Sequence, residues 1–424
     1  MKIPARLILA ASVLALAAAN WPQWRGPERN GISKEKNLAQ TWPKSGPPLV
    51  WTFSKAGTGY STPAVVGGKV YLLGARDNVE YVIALEGPKE KWTAKIGPLY
   101  DFMGNAWSGG PNATPVVDGD SLYALGSQGE LLCVDLTTGK NRWRVNMPKE
   151  LAAEVNPVGG GPPKLAWGFS CAPLVDGEHV IVTPGGPKGL FAALNKKTGA
   201  VVWQSKGVVD QTTYAAPVAA EIGGVRQYIA LVQNGAAGVS ARDGDLLWEH
   251  RRADPYPDVV CGTPLVEGNL VYLSVGYGAG SELLKLTANG GKFTVESVYA
   301  VKDMGNRLGG VVLVDGHVYG FHDNRSWMCQ DFMTGEVRWE SGRRALKAGS
   351  VIYADGRLYC FGEDKSELAM LEANPGGYKQ LARFRLPQES MLRKPRGKAW
   401  THPVLADGML YLRDQELLFC YKVK

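Results

Sequence analysis

Short apolar segments alternate with polar residues along most of the chain, and residues 114–143 show the pattern most clearly. The segments have the two-residue period of half-buried strands and are separated by glycine turns. Asp118-Gly119 suits a tight hairpin, because both residue types tolerate a positive φ angle. A single four-stranded antiparallel sheet cannot bury both faces, so the pattern predicts packing against similar sheets. The predicted strands are 114–117, 121–125, 130–136 and one beginning at Trp143.

Copies of this unit follow one another at intervals of about 40–60 residues, a spacing typical of propeller blades. The eighth copy ends before its outer strand, whereas a lone strand at 49–54, which carries Trp51, precedes the first copy. That lone strand supplies the missing one. The sequence therefore predicts an all-β fold, an eight-bladed β-propeller of four-stranded antiparallel blades whose ring is closed by an N-terminal strand. The copies begin at Ser61, Thr114, Cys171, Ala215, Gly262, Gly309, Gly349 and Thr401.

Tryptophan recurs on the predicted outer strands, where a large ring fills the wedge between neighbouring blades. Phe293 and Tyr378 take the tryptophan's place in the fifth and seventh copies. The six cysteines include no adjacent pair and no Cys-x-x-Cys motif, so we expect buried free thiols, although disulfides stay an alternative in an exported chain. The recurring tryptophans are Trp51, Trp92, Trp143, Trp203, Trp248 and Trp339.

The first 19 residues have the pattern of a secretory signal peptide. Lys2 and Arg6 are basic, residues 7–16 form an apolar run too short to span a bilayer, and residues 17–19 are alanines. The alternative is a buried helix, but the residues after Asn20 give such a helix no cap. We expect cleavage before Asn20. Because no cysteine follows the apolar run, we expect no lipid anchor.

These boundaries divide the chain into a signal peptide (1–19), a lead-in segment (20–48) and one propeller (49–424). No other apolar stretch is long enough to span a membrane, so we expect a soluble monomer in the periplasm or outside the cell. The 424-residue chain carries a formal net charge of +7. A mild charge on an exported protein argues against nucleic-acid binding. The basic residues cluster only at Arg393, Lys394, Arg396 and Lys398.

Three segments resemble the pyrroloquinoline-quinone-type repeat: GELLCVDLTTGKNRW, LFAALNKKTGAVVW and WMCQDFMTGEVRW. This repeat is found in quinoprotein alcohol and glucose dehydrogenases, and in the non-catalytic propeller of the outer-membrane protein assembly machinery. Four further segments are similar to exported single-domain quinoprotein-like propellers of environmental bacteria: WPQWRGPERNGIS, WGFSCAPLVDG, GGVRQYIAL and WTHPVLADGMLYLRD. The resemblance covers residues 21–424. It implies the fold, whereas function depends on the sites that a fold carries.

The resemblance leaves two classes of function open. In the dehydrogenases, the quinone lies between a tryptophan and a disulfide of adjacent cysteines, and Glu, Asn and Asp hold Ca²⁺. Here no two cysteines are adjacent, and Asp101, Asp258 and Asp303 are scattered, whereas Ca²⁺ takes about 6–8 oxygens. We therefore expect a non-catalytic binding or scaffold protein, with no catalytic residue, metal site or cofactor. The alternative is a dehydrogenase that uses pyrroloquinoline quinone and calcium to oxidise an alcohol or a sugar.

The loops that precede the innermost strands are rich in aromatic and polar residues, and in a propeller they converge on the mouth of the central channel. Flat rings beside amide and guanidinium groups suit a planar ring or a sugar, so the partner is a protein, a saccharide or a small molecule. The alternative is that these residues only plug the channel. For His402 we expect a hydrogen-bonded ring rather than a metal ligand or a base. The predicted ligand site consists of Trp107, Trp167, Tyr214, Tyr256, Asp258, Asn306, Arg307, Trp400 and His402.

Overall fold

The computed structural model describes residues 20–101, 105–155, 167–254, 256, 259–323, 325–342 and 345–424. The predicted signal peptide (1–19) and Asp258 lie outside these residues. Within them, 33 strands and one helix form. The strands build eight sheets, each with four antiparallel strands that are consecutive except at the closure of the ring, and one sheet has an added fifth strand, so the predicted eight-bladed propeller is confirmed.

Two short strands, β1 (Ile32–Ser33) and β2 (Leu49–Phe53), precede the first complete blade. Blade 1 contains β3 (Ala64–Val66), β4 (Lys69–Arg76), β5 (Val79–Glu86) and β6 (Lys89–Pro98). Blade 2 contains β7 (Val116–Asp118), β8 (Ser121–Leu125), β9 (Glu130–Asp135) and β10 (Asn141–Asn146), and helix α1 (Met147–Leu151) follows it. Blade 3 contains β11 (Leu174–Asp176), β12 (His179–Val182), β13 (Ala192–Asn195) and β14 (Val201–Gln204). Blade 4 contains β15 (Val218–Ile222), β16 (Val225–Val232), β17 (Gly235–Ser240) and β18 (Leu246–Arg251).

The second half of the ring repeats this arrangement. Blade 5 contains β19 (Leu265–Glu267), β20 (Leu270–Val275), β21 (Gly280–Asn289) and β22 (Lys292–Val301). Blade 6 contains β23 (Val312–Val314), β24 (His317–Phe321), β25 (Trp327–Asp331) and β26 (Val337–Glu340). Blade 7 contains β27 (Gly349–Ala354), β28 (Arg357–Gly362), β29 (Glu367–Glu372) and β30 (Gln380–Arg385). Blade 8 contains β31 (Val404–Ala406), β32 (Met409–Asp414) and β33 (Leu417–Lys422).

Strand β2 completes blade 8 from the other end of the chain. It pairs antiparallel with β33, and Trp51 lies opposite Cys420, as predicted. The buried Arg413 of β32 ties blade 8 to blade 1, because its guanidinium donates to the carbonyl oxygens of Ser61 and Leu73, each at 2.7 Å. The ring is therefore closed both by strand pairing and by a buried cation that binds backbone carbonyls.

At four junctions between blades, an aromatic side chain of one blade packs on a glycine turn of the next, at Gly139, Gly199, Gly244 and Gly335. Trp92 donates its Nε1 hydrogen to the Leu136 carbonyl, 3.2 Å away. A Cβ atom on Gly139, whose φ angle is +70°, would lie 2.5 Å from the Trp92 ring. The same contact joins Trp143 to the turn at Gly199. Glycine is therefore required at these turns for two reasons: it adopts the positive φ angle, and it leaves the space that the ring occupies.

Blades 5 and 7 depart from the predicted aromatic pattern. In blade 5, Tyr299 rather than Phe293 lies at the strand register of the tryptophans, and its hydroxyl donates to the Phe332 carbonyl at 2.9 Å. The prediction was wrong because the ten-residue strands β21 and β22 extend this hairpin. In blade 7 the equivalent position is Ala382 rather than Tyr378. Trp42 of the lead-in segment packs there instead, with its ring centroid 5.8 Å from that of Tyr359.

The first part of the lead-in segment lies on the propeller axis, against the innermost strands. Trp21 exchanges two backbone hydrogen bonds of 2.8 Å with Val65 of β3, and β1 pairs in parallel with β27, which makes that sheet five-stranded. The Arg29 guanidinium donates to the Ala172 carbonyl of the loop before β11, at 3.0 Å. Residues 21–35 therefore fill the central channel, and we call them the axial plug.

Two arginines of the axial plug are buried without a carboxylate partner. Arg25 and Arg29 are 1% and 3% exposed. Arg25 donates to the Val311 carbonyl of blade 6, and Arg29 donates to the Pro173 carbonyl of blade 3 at 2.9 Å. Burial lowers the pKa of Arg25 to about 10 and that of Arg29 to about 9. Carbonyl dipoles from opposite sides of the ring therefore hold the plug in place.

Helix α1 was not predicted from the sequence, because it has only five residues. The Asn146 side chain caps it by accepting from the Lys149 amide, and Pro148 lies in its first turn, where a missing N–H costs nothing. A helix this short cannot cross a bilayer, and the described part of the chain contains no membrane-spanning helix.

Gly139→Ala and Gly119→Ala form a matched pair that tests the contact between blades. Both glycines have positive φ, +70° and +58°, but a Cβ atom on Gly119 meets nothing within 4 Å. We expect Gly119→Ala to lower the free energy of unfolding by about 1 kcal/mol through backbone strain. Gly139→Ala should cost about 1–3 kcal/mol more, because it overlaps Trp92. Urea unfolding measures both values, and equal losses would contradict the proposed packing.

Candidate functional site

A cavity opens on the axis at the end of the ring where loops lead into the innermost strands. Its volume is about 200 Å³, and among the described residues, seven of the eight blades and the axial plug contribute to its wall. Trp24 of the plug contacts His402 there, with ring centroids 4.6 Å apart. We call this cavity the aromatic cup. It is lined by Trp24, Tyr60, Asn112, Trp167, Ser170, Ala172, Tyr214, Ala216, Val259, Cys261, Tyr277, Arg307, Leu308, Gly309, Trp400 and His402.

The structure brings five of the nine predicted site residues together in the cup. They come from the loops before β11, β15, β23 and β31, so sequence positions far apart in the chain meet on one axis. Trp167 and Tyr214 touch edge to face, with ring centroids 6.0 Å apart. The five residues are Trp167, Tyr214, Arg307, Trp400 and His402.

Three of the other predicted residues do not line the cup. Trp107 packs behind it, with its ring centroid 5.7 Å from that of Trp167. Tyr256 is buried, and its ring lies 4.9 Å from the Arg252 guanidinium carbon. Asn306 is also buried, and its side chain accepts from the Leu308 amide at 2.9 Å, so it shapes the loop that presents Arg307 and Leu308. Asp258 lies outside the described residues.

Sequence reasoning missed three aromatic residues of the cup. Tyr60 directly precedes Ser61, as Trp400 precedes Thr401, so alignment of the repeat starts would have found it. Tyr277 lies in the turn between β20 and β21 rather than before an innermost strand. Trp24 comes from the plug, and no repeat pattern predicts where a non-repetitive segment ends.

Arg307 is the cation of the cup, and two carboxylates fix its orientation. Its Nη2 lies 2.7 Å from Glu363 Oε1 and its Nη1 lies 3.3 Å from Asp323 Oδ1. Glu363 also accepts from the Trp400 indole at 2.7 Å. Burial opposes the charge of the guanidinium, but Glu363 and Asp323 outweigh that effect and raise the pKa of Arg307. Burial raises the pKa of Asp323 despite the nearby Arg307.

The histidine and the cysteine of the cup are both uncharged near neutral pH and both donate to backbone carbonyls. The Nε2 of His402 lies 2.7 Å from the Leu308 carbonyl and therefore donates to it, as expected of a hydrogen-bonded ring. Burial, together with the nearby Arg25, lowers the pKa of His402 to about 3. The Cys261 thiol donates to the Arg307 carbonyl at 2.7 Å, and burial raises its pKa to about 12. Near neutral pH the imidazole is unprotonated and the thiol is protonated.

Comparison with known proteins identifies the family of this propeller. A family model described as "Outer membrane protein assembly factor BamB" matches residues 78–341. The chain belongs to this family. It is similar to outer membrane protein assembly factor BamB of Yersinia pestis, with 23% identity over 342 residues that cover 78% of this chain and 77% of that protein. The family assignment agrees with the resemblance in the repeat segments.

Two solved structures share the family's fold. BamB from Moraxella catarrhalis matches with a TM-score of 0.59 and 16% identity, covering 88% of this chain and 99% of that one. Quinohemoprotein alcohol dehydrogenase from Comamonas testosteroni matches with a TM-score of 0.62 and 11% identity, covering 95% of this chain and 80% of that one. At these identities the likeness concerns the fold alone.

The residues of the cup do not fit the quinone and calcium that the dehydrogenase resemblance implies. All six cysteines are free, so no disulfide is available to cover a quinone. Asp101 pairs with Lys394 and Asp303 pairs with Arg325, and neither lines the cup. Among the described residues, no group of three His, Cys, Asp or Glu side chains comes together to hold a metal.

His402→Gln tests the state of the buried histidine, because glutamine keeps a side-chain N–H donor but does not titrate. His402 has a pKa of about 3 in the fold, against an ordinary value of 6.5. Between pH 3 and pH 6.5, the unfolded chain binds a proton at His402 more readily than the folded chain does. Wild-type stability should therefore fall, by up to about 1.4 kcal/mol per pH unit, as the pH drops from 6.5 towards 3. Urea unfolding between pH 7 and 4 measures this, and parallel pH profiles for the two proteins would contradict it.

Proposed function

We propose that this chain is a non-catalytic binding or scaffold protein of the cell envelope, and that its binding surface is the face that carries the aromatic cup. The observation that carries the proposal is the chemical state of the cup. A cavity of about 200 Å³, walled by six aromatic rings, suits binding. The ionisable groups along its wall are poorly suited to catalysis.

A general acid or base needs a pKa near the working pH, and a nucleophile needs an adjacent base. Of the described lining residues, His402 has a pKa lowered to about 3, whereas Cys261 and Tyr277 have pKa values raised to about 12 by burial. Arg307 stays charged between two carboxylates. These groups can position a ligand, but they exchange no proton with it near neutral pH.

The family relation supports a role among other proteins of the envelope. The relatives are named outer membrane protein assembly factors, and this shared fold supports a surface that contacts protein partners. The signal-like residues 1–19 support export, and the absence of a cysteine after their apolar run supports a periplasmic or extracellular protein without a lipid anchor.

Site-specific photo-crosslinking in intact cells tests the proposed binding face. Tyr277, which lies in the cup wall and is 51% exposed, is replaced by a photoreactive amino acid in the full chain. The matched control position is Asp315, in the exposed turn between β23 and β24 at the opposite end of a blade. We expect the protein in the envelope fraction, with discrete adducts from position 277 and not from 315. Cytoplasmic retention, or equal labelling from both positions, would contradict the proposal.

The same purified protein is then given pyrroloquinoline quinone, Ca²⁺, an artificial electron-accepting dye and a panel of alcohols and sugars. We expect no substrate-dependent reduction of the dye. Sustained turnover would instead establish the dehydrogenase alternative and overturn the non-catalytic proposal.

A further inference from the structure

We propose that the aromatic cup binds a neutral aromatic ring that carries a hydroxyl or carbonyl oxygen. This inference rests on the proposed binding function and specifies the ligand of the same site. Six of the sixteen described lining residues are tryptophan or tyrosine, and their flat faces favour a flat partner. They are Trp24, Tyr60, Trp167, Tyr214, Tyr277 and Trp400.

Tyr277 is held in the wall at a cost in backbone strain. Its φ angle is +57°, a conformation that costs a non-glycine residue about 1–3 kcal/mol. Its amide donates to Asp323 Oδ2 at 2.9 Å, which locks the turn, yet the residue is 51% exposed. A strained, exposed aromatic residue that packing does not require is best explained by contact with a ligand.

Asp323 also sets the position of Arg307, so one buried carboxylate organises two walls of the cup. It accepts from the Arg307 amide at 3.1 Å and pairs with the guanidinium at 3.3 Å. A guanidinium has five N–H donors; Nη2 donates to Glu363 at 2.7 Å, and Nη1 lies 3.3 Å from Asp323. The remaining donors, on a side chain that is 23% exposed, can bind an oxygen of a ligand.

The charges around the cup favour a neutral ligand. Of the described groups, Arg307 and the neighbouring Arg25 are positive, whereas Asp323 and Glu363 are negative, so their four formal charges balance. A charged ligand would lose its hydration, and the cup would offer it no net opposite charge in return. Near neutral pH, the unprotonated His402 adds no charge.

The volume of the cup and the apolar side chains between its aromatic residues favour a small ring over a sugar. A cavity of about 150 Å³ is enough to hold benzene, so the 200 Å³ of the cup suits one ring or two fused rings. Between the aromatic residues lie Val259, Leu308 and Ala216, which offer no side-chain hydrogen bonds. A pyranose would bury several hydroxyl groups against them without partners, which is unfavourable.

Binding of four matched probes to the purified full-length mature protein tests the inference. The probes are 4-methylphenol, toluene, 4-methylbenzoate and methyl β-D-glucopyranoside, and saturation-transfer NMR and tryptophan fluorescence measure their affinity. We expect saturable binding of 4-methylphenol, with weaker binding of toluene, which lacks the oxygen, and of the charged benzoate. Tighter binding of the glucoside or the benzoate would overturn the inference.

Tyr277→Gly separates ligand contact from folding, because glycine adopts the positive φ angle without strain. We expect this variant to be at least as stable as the wild type and to bind 4-methylphenol about 3–10-fold more weakly, the value of one lost aromatic contact. The matched control Asp315→Gly relieves a φ angle of +47° in a distant turn and should bind as the wild type does. Equal affinities of the two variants would overturn the assigned role of Tyr277. If no probe binds while position 277 still gives discrete crosslinks, the ligand class is wrong and the proposed function stands.

Discussion

A closed ring of blades leaves a gap along its axis, and the rest of this structure depends on how the chain fills that gap. Innermost strands expose backbone groups towards the axis, and buried backbone groups need hydrogen-bond partners. The axial plug supplies them through Trp21 at Val65 and through β1 at β27. Since Trp24 of the plug also lines the aromatic cup, the same segment that stabilises the axis forms part of the wall of the cup.

At four junctions between blades, the stabilising contact is an aromatic ring on a glycine turn, and blades 5 and 7 show how it is supplied where tryptophan is missing. Blade 5 supplies Tyr299 in place of tryptophan and keeps the hydrogen bond to the next blade. Blade 7 has only Ala382 at that register, and Trp42 of the lead-in segment packs against Tyr359 in its place. The lead-in segment therefore fills the axis of the ring and also supplies the aromatic side chain that blade 7 lacks.

Repetition made the fold predictable from sequence, whereas the site was only partly predictable. Turn glycines and two-residue periods recur in every copy, so the eight blades and the closing strand with Trp51 followed from counting elements. The loops before the innermost strands gave Trp167, Arg307 and Trp400, because blade topology alone brings them to one end. Trp24 could not be predicted, since its position depends on the path of the non-repetitive plug through the finished ring.

Hydrogen–deuterium exchange of the axial plug measures most directly whether the axis is filled. The Trp21 amide donates to the Val65 carbonyl, and the Gly31 amide donates to the Arg25 carbonyl, each at 2.8 Å. If the plug is part of the core, these amides exchange as slowly as those of the blade strands β8 and β9. Exchange of residues 21–35 within seconds, while the blades stay protected, would show an open channel and contradict both the filled axis and the contribution of Trp24 to the aromatic cup.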